Sequence, residues 1–406
     1  MQGSAQEAGP DLARMRRDRQ AKLASEMERQ GIDALVLSGT GNVHYATGAR
    51  WLTSDAGRAS CEPAVAVVTR EGPPHLFTAY PEGAPPDLPA DRLHGPFSPE
   101  FAEGVEVMAS TLAQILGTGA LQLGFDDLTA AADEGLSRLM PGAGIVDAGP
   151  VLGAAKICKT EDELECIRRA QRINELAMYD AYAALGPGVR QSELSGVFLR
   201  RIFELGATAN TIDPIWQATP PSIAGGPWTV NGDVAFPTGS TDRILRQDEL
   251  IFVDTGINYE GYCSDFGRTW LVGSAASARR RDQFKRWREV VERVLELTRP
   301  GTTGLELNRA ACKGEHGRRP WLDHFYLVHG LGTDSAEMPF IGTDLGEAFD
   351  ESIVLAPGMV MVLEPVIWDD GQGGYRSEDI VAVTEDGYRM LSDFPYMPFD
   401  EGATRW

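Results

Sequence analysis

Positive charge, histidine and cysteine are all in short supply in this chain of 406 residues: 37 Lys and Arg stand against 59 Asp and Glu, with six His and five Cys. The net charge of −22 argues against nucleic acid and anionic membranes as partners, because both reward basic patches. The acids are spread along the chain rather than gathered in a tail. No stretch approaches the ~20 consecutive apolar residues of a membrane span. The opening Met1–Pro10 is polar and lacks the apolar core of a signal peptide. Cys61, Cys158, Cys166, Cys263 and Cys312 form no Cys-x-x-Cys pair and are odd in number. That pattern predicts reduced thiols and a cytoplasmic protein rather than a disulfide framework. A hydrophobic content of 43% is that of an ordinary globular protein, and the length accommodates two domains.

What the C-terminal half does carry is four carboxylates and an imidazole: Asp254, Asp265, His329, Glu364 and Glu378. This is the donor set of a site for two divalent ions of hard or borderline character. Such ions lower the pKa of a water and aim it at an acyl carbon. Asp254 and Asp265 flank the turn-like Asn258–Gly261, next to the apolar β-type runs 250–253 and 269–272. With Tyr259 and Glu260 as a two-residue loop, Asp254 falls directly opposite Asp265, Cβ atoms about 5 Å apart. Like charges so placed destabilise a hairpin, which calls for a cation between them. Glu364 and Glu378 repeat the arrangement beside the runs 360–363 and 380–383, with a Gly-rich stretch at 371–374 between them. Taken singly, each acid reads as a strand-end acid facing solvent. Together, inside apolar runs where an unpaired charge is costly, they read as a metal site, or as a metal-site scaffold that has lost its metal. Cys263 reads as a packed strand residue or as a further ligand.

Residues 11–30 have the spacing of an amphipathic helix ending at Gly31. Residues 33–37 read as a buried strand, 39–48 as a turn-rich connection, 63–69 and 75–79 as strands, and 100–116 as a helix. The Pro- and Gly-rich segments 81–89 and 141–153 read as loops. Thr160 and Glu163 make a capping box for a helix running to Ala184, closed by Gly186–Gly188. Further helices are predicted over 191–204 and about 277–298. The expectation is an α/β (α+β) chain of two domains, residues 1–157 and 158–406.

At this point the residues resemble the creatinase, prolidase and aminopeptidase P family, relatives of methionine aminopeptidase with the pita-bread fold. Residues 31–48 are similar to the family's N-terminal domain and Lys159–Ala170 to the entry helix of its catalytic domain. Asp254-Thr-Gly, Ser264-Asp-Phe-Gly-Arg-Thr269, His329-Gly-Leu-Gly332, Leu363-Glu-Pro365 and Arg376-Ser-Glu-Asp379 match the five ligand motifs in order. The resemblance implies a creatinase-like α/β domain followed by a pita-bread catalytic domain. It also implies two divalent ions (manganese, iron, cobalt or zinc), a homodimer, and a dipeptide or other small-molecule substrate. Two places depart from it. Ala336 stands where the peptidases carry a second His, and residues 235–243 lack the His that precedes the first Asp.

The first functional reading is a metal-dependent hydrolase of amide or other C–N bonds, Xaa-Pro dipeptidase- or aminopeptidase-like, with metal-bound hydroxide attacking the carbonyl and Glu364 as general base. Arg376 would hold an acidic end of the substrate or orient the ligands. Asp334 or Glu337 would take a cationic group where an imidazole is missing, and His324 would point into the pocket or simply pack. The second reading is a relative acting on a small polar compound, like creatinase, ectoine hydrolase or dimethylsulfoniopropionate lyase. The third is an inactive binding protein on the same fold. The missing imidazoles predict weak turnover of general Xaa-Pro dipeptides.

Overall fold

The computed structural model describes residues 9–50, 64–97, 101–219, 222, 241–314 and 318–400. The chain divides into two compact units, Met1–Lys156 and Ile157–Trp406. In the first, strands β1 (Ala34–Leu37), β2 (Val65–Thr69), β3 (His75–Phe77), β4 (Leu93–His94), β5 (Leu121–Phe125) and β6 (Ala143–Asp147) form one sheet, ordered β4-β3-β2-β1-β5-β6. Side chains alternate across it, as strand geometry dictates. Leu35, Leu37, Ala66 and Val68 pack with Leu23 and Met27 of helix Leu12–Gln30, whereas Val36, Val65 and Val67 pack with Val105, Met108 and Leu112 of helix Ala102–Leu116. Helices therefore cover both faces.

Two stretches expected to be irregular are ordered. Residues 39–48 contain the helix Thr40–Thr47, ended by Gly48 at φ 80°. Its first turn is held by Asp126, which accepts from Ser38 N–H, Gly39 N–H and the Asn42 amide at 2.8–3.0 Å. A partner 84 residues away cannot be read from local spacing. Residues 141–153 supply β6, which pairs in parallel with β5, and most of the helix Gly149–Lys156.

The second unit presents one order twice. Helices Glu161–Ala184 and Gln191–Glu204 precede a sheet of β7 (Ala209–Ala218), β8 (Leu250–Tyr259), β9 (Tyr262–Cys263) and β10 (Phe266–Leu271), with β8 central. Helices Ala278–Leu295 and Gly304–Ala311 precede a second sheet. It consists of β11 (Val328–Gly330), β12 (Glu337–Ile341), β13 (Val360–Leu363), β16 (Asp379–Val383) and β17 (Tyr388–Met390), with the pair β14 (Ile367–Asp369) and β15 (Gly373–Tyr375) beyond. Each sheet buries an apolar face against its own helices. The expected capping box is formed: Thr160 Oγ1 accepts from Glu163 N–H while the Glu163 carboxylate accepts from Thr160 N–H. The two sheets are stitched by Glu378 N–H to Gly267 O at 2.9 Å and Cys263 N–H to Gly332 O at 2.8 Å. No helix among the described residues is long and apolar enough to cross a membrane.

The hairpin register differs from expectation. Tyr259 pairs with Tyr262, so Glu260 and Gly261 form the turn, at φ 49° and 86°. Two successive positive φ values are the signature of a type I′ turn, whose right-handed twist suits a hairpin. Asp254 consequently faces Gly267, and Asp265 lies diagonal to it on the same face. On the other sheet Leu363 pairs with Asp379 and Ile367 with Tyr375, so Glu364 and Glu378 face each other in the expected register.

Candidate metal centre

All five predicted donors converge where the two sheets meet, and all five are buried. Helix Glu161–Ala184 fixes the first hairpin: the Asn174 amide donates to Thr255 O and Ser264 Oγ, both at 2.9 Å, and accepts from Thr255 Oγ1. Asp254, Asp265 and Glu378 each bring a carboxylate oxygen within 4.8 Å of the others. Room for Glu378 exists because residue 267 is glycine; a Cβ there would lie 2.4 Å from the Glu378 carboxyl carbon. From the second sheet, His329 points Nε2 at Glu364 Oε1 (2.8 Å) and Asp265 Oδ2 (3.2 Å), while its Nδ1 donates to Gly330 O at 2.8 Å. That last bond fixes the ring so that Nε2 faces the carboxylates.

Arg376 lies inside the cluster. Its Nε donates to Glu364 Oε2 at 2.8 Å, and its Nη2 to Asp254 Oδ2 at 2.9 Å and to Glu378. The guanidinium is thus committed to three carboxylates and orients them, rather than waiting for an acidic end of a substrate. Behind Glu378, Arg268 donates to the Glu378 carbonyl and, at 3.3 Å, to Asp379 Oδ1, which holds that strand end in place.

The charge balance remains negative. Burial pushes Asp254 up to about 7, against the pull of Arg376, and raises Asp265 too. Burial alone would lower His329, but the hydrogen bonds to Asp265 and Glu364 raise it to about 10. Burial would likewise raise Glu364, yet Arg376 and His329 hold it below the usual carboxylate range. Asp254 Oδ1 and Glu378 Oε2 are buried with no hydrogen-bond partner among the described residues. Buried carboxylate oxygens left over in this way are costly without a cation. Three clustered carboxylates, a fourth beside them and one imidazole fit a divalent ion.

The remaining candidates lie elsewhere or are already engaged. His324, at φ 61°, is exposed and bonds Asp344 Oδ2 at 2.6 Å, so it does not point into the cluster. Glu337 forms a buried ion pair with Lys159 at 2.8 Å, so its charge is answered from within the protein. Asp334 is partly exposed and its carbonyl accepts from Gly332 N–H. Cys263 is buried with its thiol 3.7 Å from Thr333 O, a packed strand residue. Ala336 is exposed, and residues 235–240 lie outside the described residues. Tyr326 went unnoticed in the sequence. Its ring stands edge-on to His329, centroids 5.4 Å apart, with Phe340 at 6.0 Å. Burial, followed by the nearby Glu364, raises its phenol well above the ordinary value.

Residues 165–385 match the model of metallopeptidase family M24, and residues 19–155 match that of the creatinase/prolidase N-terminal domain. The chain is 25% identical over 384 residues to the uncharacterized peptidase YqhT of Bacillus subtilis, covering 92% of this chain and 97% of that one. It is 31% identical over 245 residues to the Xaa-Pro dipeptidase of Pyrococcus furiosus, covering 60% of this chain and 65% of that one, just under two thirds of its length. Among solved structures, the prolidase from Pyrococcus horikoshii superposes with a TM-score of 0.71 at 23% identity, covering 94% and 99% of the two chains. The X-Pro aminopeptidase from Thermotoga maritima gives 0.73 at 20%, covering 93% and 98%. These structural likenesses speak for the fold.

Proposed function

The chain belongs to metallopeptidase family M24, and from that membership we propose that it is a metal-dependent Xaa-Pro dipeptidase-like hydrolase of amide bonds. The observation that carries this reading is the convergence of Asp254, Asp265, His329, Glu364 and Glu378, with buried oxygens of Asp254 and Glu378 left without a partner. These five residues would hold the metal, and Arg376 would keep three of them in register. A divalent ion bound there supplies Lewis acidity and a water of lowered pKa. Glu364, held ionised by Arg376 and His329, accepts the water's proton and passes it on toward the leaving amine. Burial of the cluster keeps bulk water away from the developing charge.

We assign two ions to the site, of manganese, iron, cobalt or zinc, because mixed oxygen and imidazole donors suit each of these. We further assign residues 158–406 as the catalytic domain and residues 1–157 as its creatinase-like companion, in a cytoplasmic homodimer. The test is a screen of metal-loaded protein against Xaa-Pro dipeptides, creatine, ectoine and dimethylsulfoniopropionate, paired with elemental analysis. Turnover of Xaa-Pro dipeptides with bound metal is the expected result. Turnover confined to one of the other compounds, or no metal under any loading condition, overturns the proposal.

A further inference from the structure

Any attack on an amide carbonyl at this cluster builds negative charge on the carbonyl oxygen, and that charge needs a hydrogen-bond donor. The donors in the cluster are already spent. Arg376 is divided among Asp254, Glu364 and Glu378. His329 gives Nδ1 to Gly330 O and turns Nε2 to Asp265 and Glu364. Lys159 is tied to Glu337. Ala336 offers no side-chain donor, and the rest are carboxylates that only accept.

Among the described residues around the cluster, Tyr326 is an exception. It lies three residues before His329, packs edge-on against that ring and is braced by Phe340. The side chain is half-buried rather than sealed in, and its ring lies against the imidazole of the donor cluster. Its phenol is close enough to feel Glu364, Arg376, Asp265 and Asp254, yet among the described residues its hydroxyl has no hydrogen-bond partner. A hydroxyl of this kind, beside the reacting centre and uncommitted, is available to a ligand.

We propose that the Tyr326 hydroxyl donates a hydrogen bond to the scissile carbonyl oxygen of a bound dipeptide and stabilises the charge that grows there. The proposal rests on the dipeptidase-like reading above. It makes Tyr326 a catalytic residue that supplies the donor the five-residue cluster and Arg376 do not have to spare.

The experiment compares the metal-loaded full chain with Tyr326→Phe, which deletes only the hydroxyl and keeps the ring against His329, and with Tyr326→His, which restores a donor. Loss of a donor to the developing oxyanion costs about 10²-fold in kcat. Tyr326→Phe should therefore lower kcat on Xaa-Pro dipeptides about 10²-fold, with KM within about threefold and with metal content and melting temperature unchanged; Tyr326→His should recover part of the loss. A Tyr326→Phe enzyme within twofold of wild type, or one whose loss of rate tracks loss of metal, overturns the role of Tyr326 while the wild-type turnover still supports the dipeptidase reading. A metal-loaded wild type that hydrolyses no Xaa-Pro dipeptide overturns both.

Discussion

At the scale of single residues, the candidate donors that the structure brings together were legible because each acid sits in an apolar run, where a lone carboxylate is hard to explain. Their partners were not. Nothing local announces that Lys159 meets Glu337 across 178 positions, or that Arg376 is shared among three acids rather than offered to a substrate. Both facts decide outcomes. Glu364→Gln removes the group we assign as general base and disturbs a donor to the metal; turnover should fall by at least about 10²–10⁴-fold, well beyond the effect of Asp334→Asn. Steady-state rates on any substrate found will check this, and equal rates for Glu364→Gln and wild type would refute the assignment. Lys159→Met should act on stability. The Glu337 carboxylate is only 9% exposed, and breaking a buried pair from one side costs about 3–5 kcal/mol. Denaturant unfolding should show that loss for Lys159→Met, and most of it should return in Lys159→Met combined with Glu337→Met. If the single variant unfolds like wild type, the pair is not a buried ion pair in solution.

At the scale of elements, the sequence located both acid-bearing hairpins and the correct register of one. For Glu364 and Glu378 the register could be read because the strands run regularly on either side of them. For Asp254 and Asp265 it slipped by one residue in the loop. Turn choice depends on which residues accept positive φ, and Glu260 joining Gly261 there is not a compositional signal. The Asn258 side chain, which accepts from Gly261 N–H at 2.9 Å, selects that turn. One consequence is that Gly267, rather than Asp265, faces Asp254, and its missing Cβ is the space in which the Glu378 carboxylate sits. Gly267→Ala should therefore push Glu378 aside and weaken metal binding about 10–100-fold, the range seen when a ligand's support is disturbed. Titration calorimetry with manganese on the full chain reads this directly, and unchanged affinity would mean that Glu378 is not held where the hairpin puts it.

At the scale of the whole molecule, the metal centre couples stability to pH. A group whose pKa is raised by folding contributes stability that is complete below its unfolded value and is lost as pH rises through its folded value. Asp254 is raised from 3.8 to about 7 and His329 from 6.5 to about 10, so the metal-free protein sheds both contributions on going alkaline. Burial, with Arg92 adding to it, lowers His75 to about 4, which gives the opposite sign, but that change is complete by about pH 6.5. Glu364, held low, likewise matters only in acid. Between pH 7 and 9, then, the His329 contribution dominates and falls. Metal binding runs the other way, because its ligands must be deprotonated and binding releases their protons. Free metal at 100 times its Kd adds about 2.7 kcal/mol of stability per site, or about 5–10 °C in Tm for a unit of this size. The gap in Tm between metal-loaded and metal-free protein should accordingly widen from pH 7 to pH 9, and His329→Gln should flatten the metal-free limb. A gap that stays constant or narrows over that interval would show that the imidazole and carboxylates are not exchanging protons for metal.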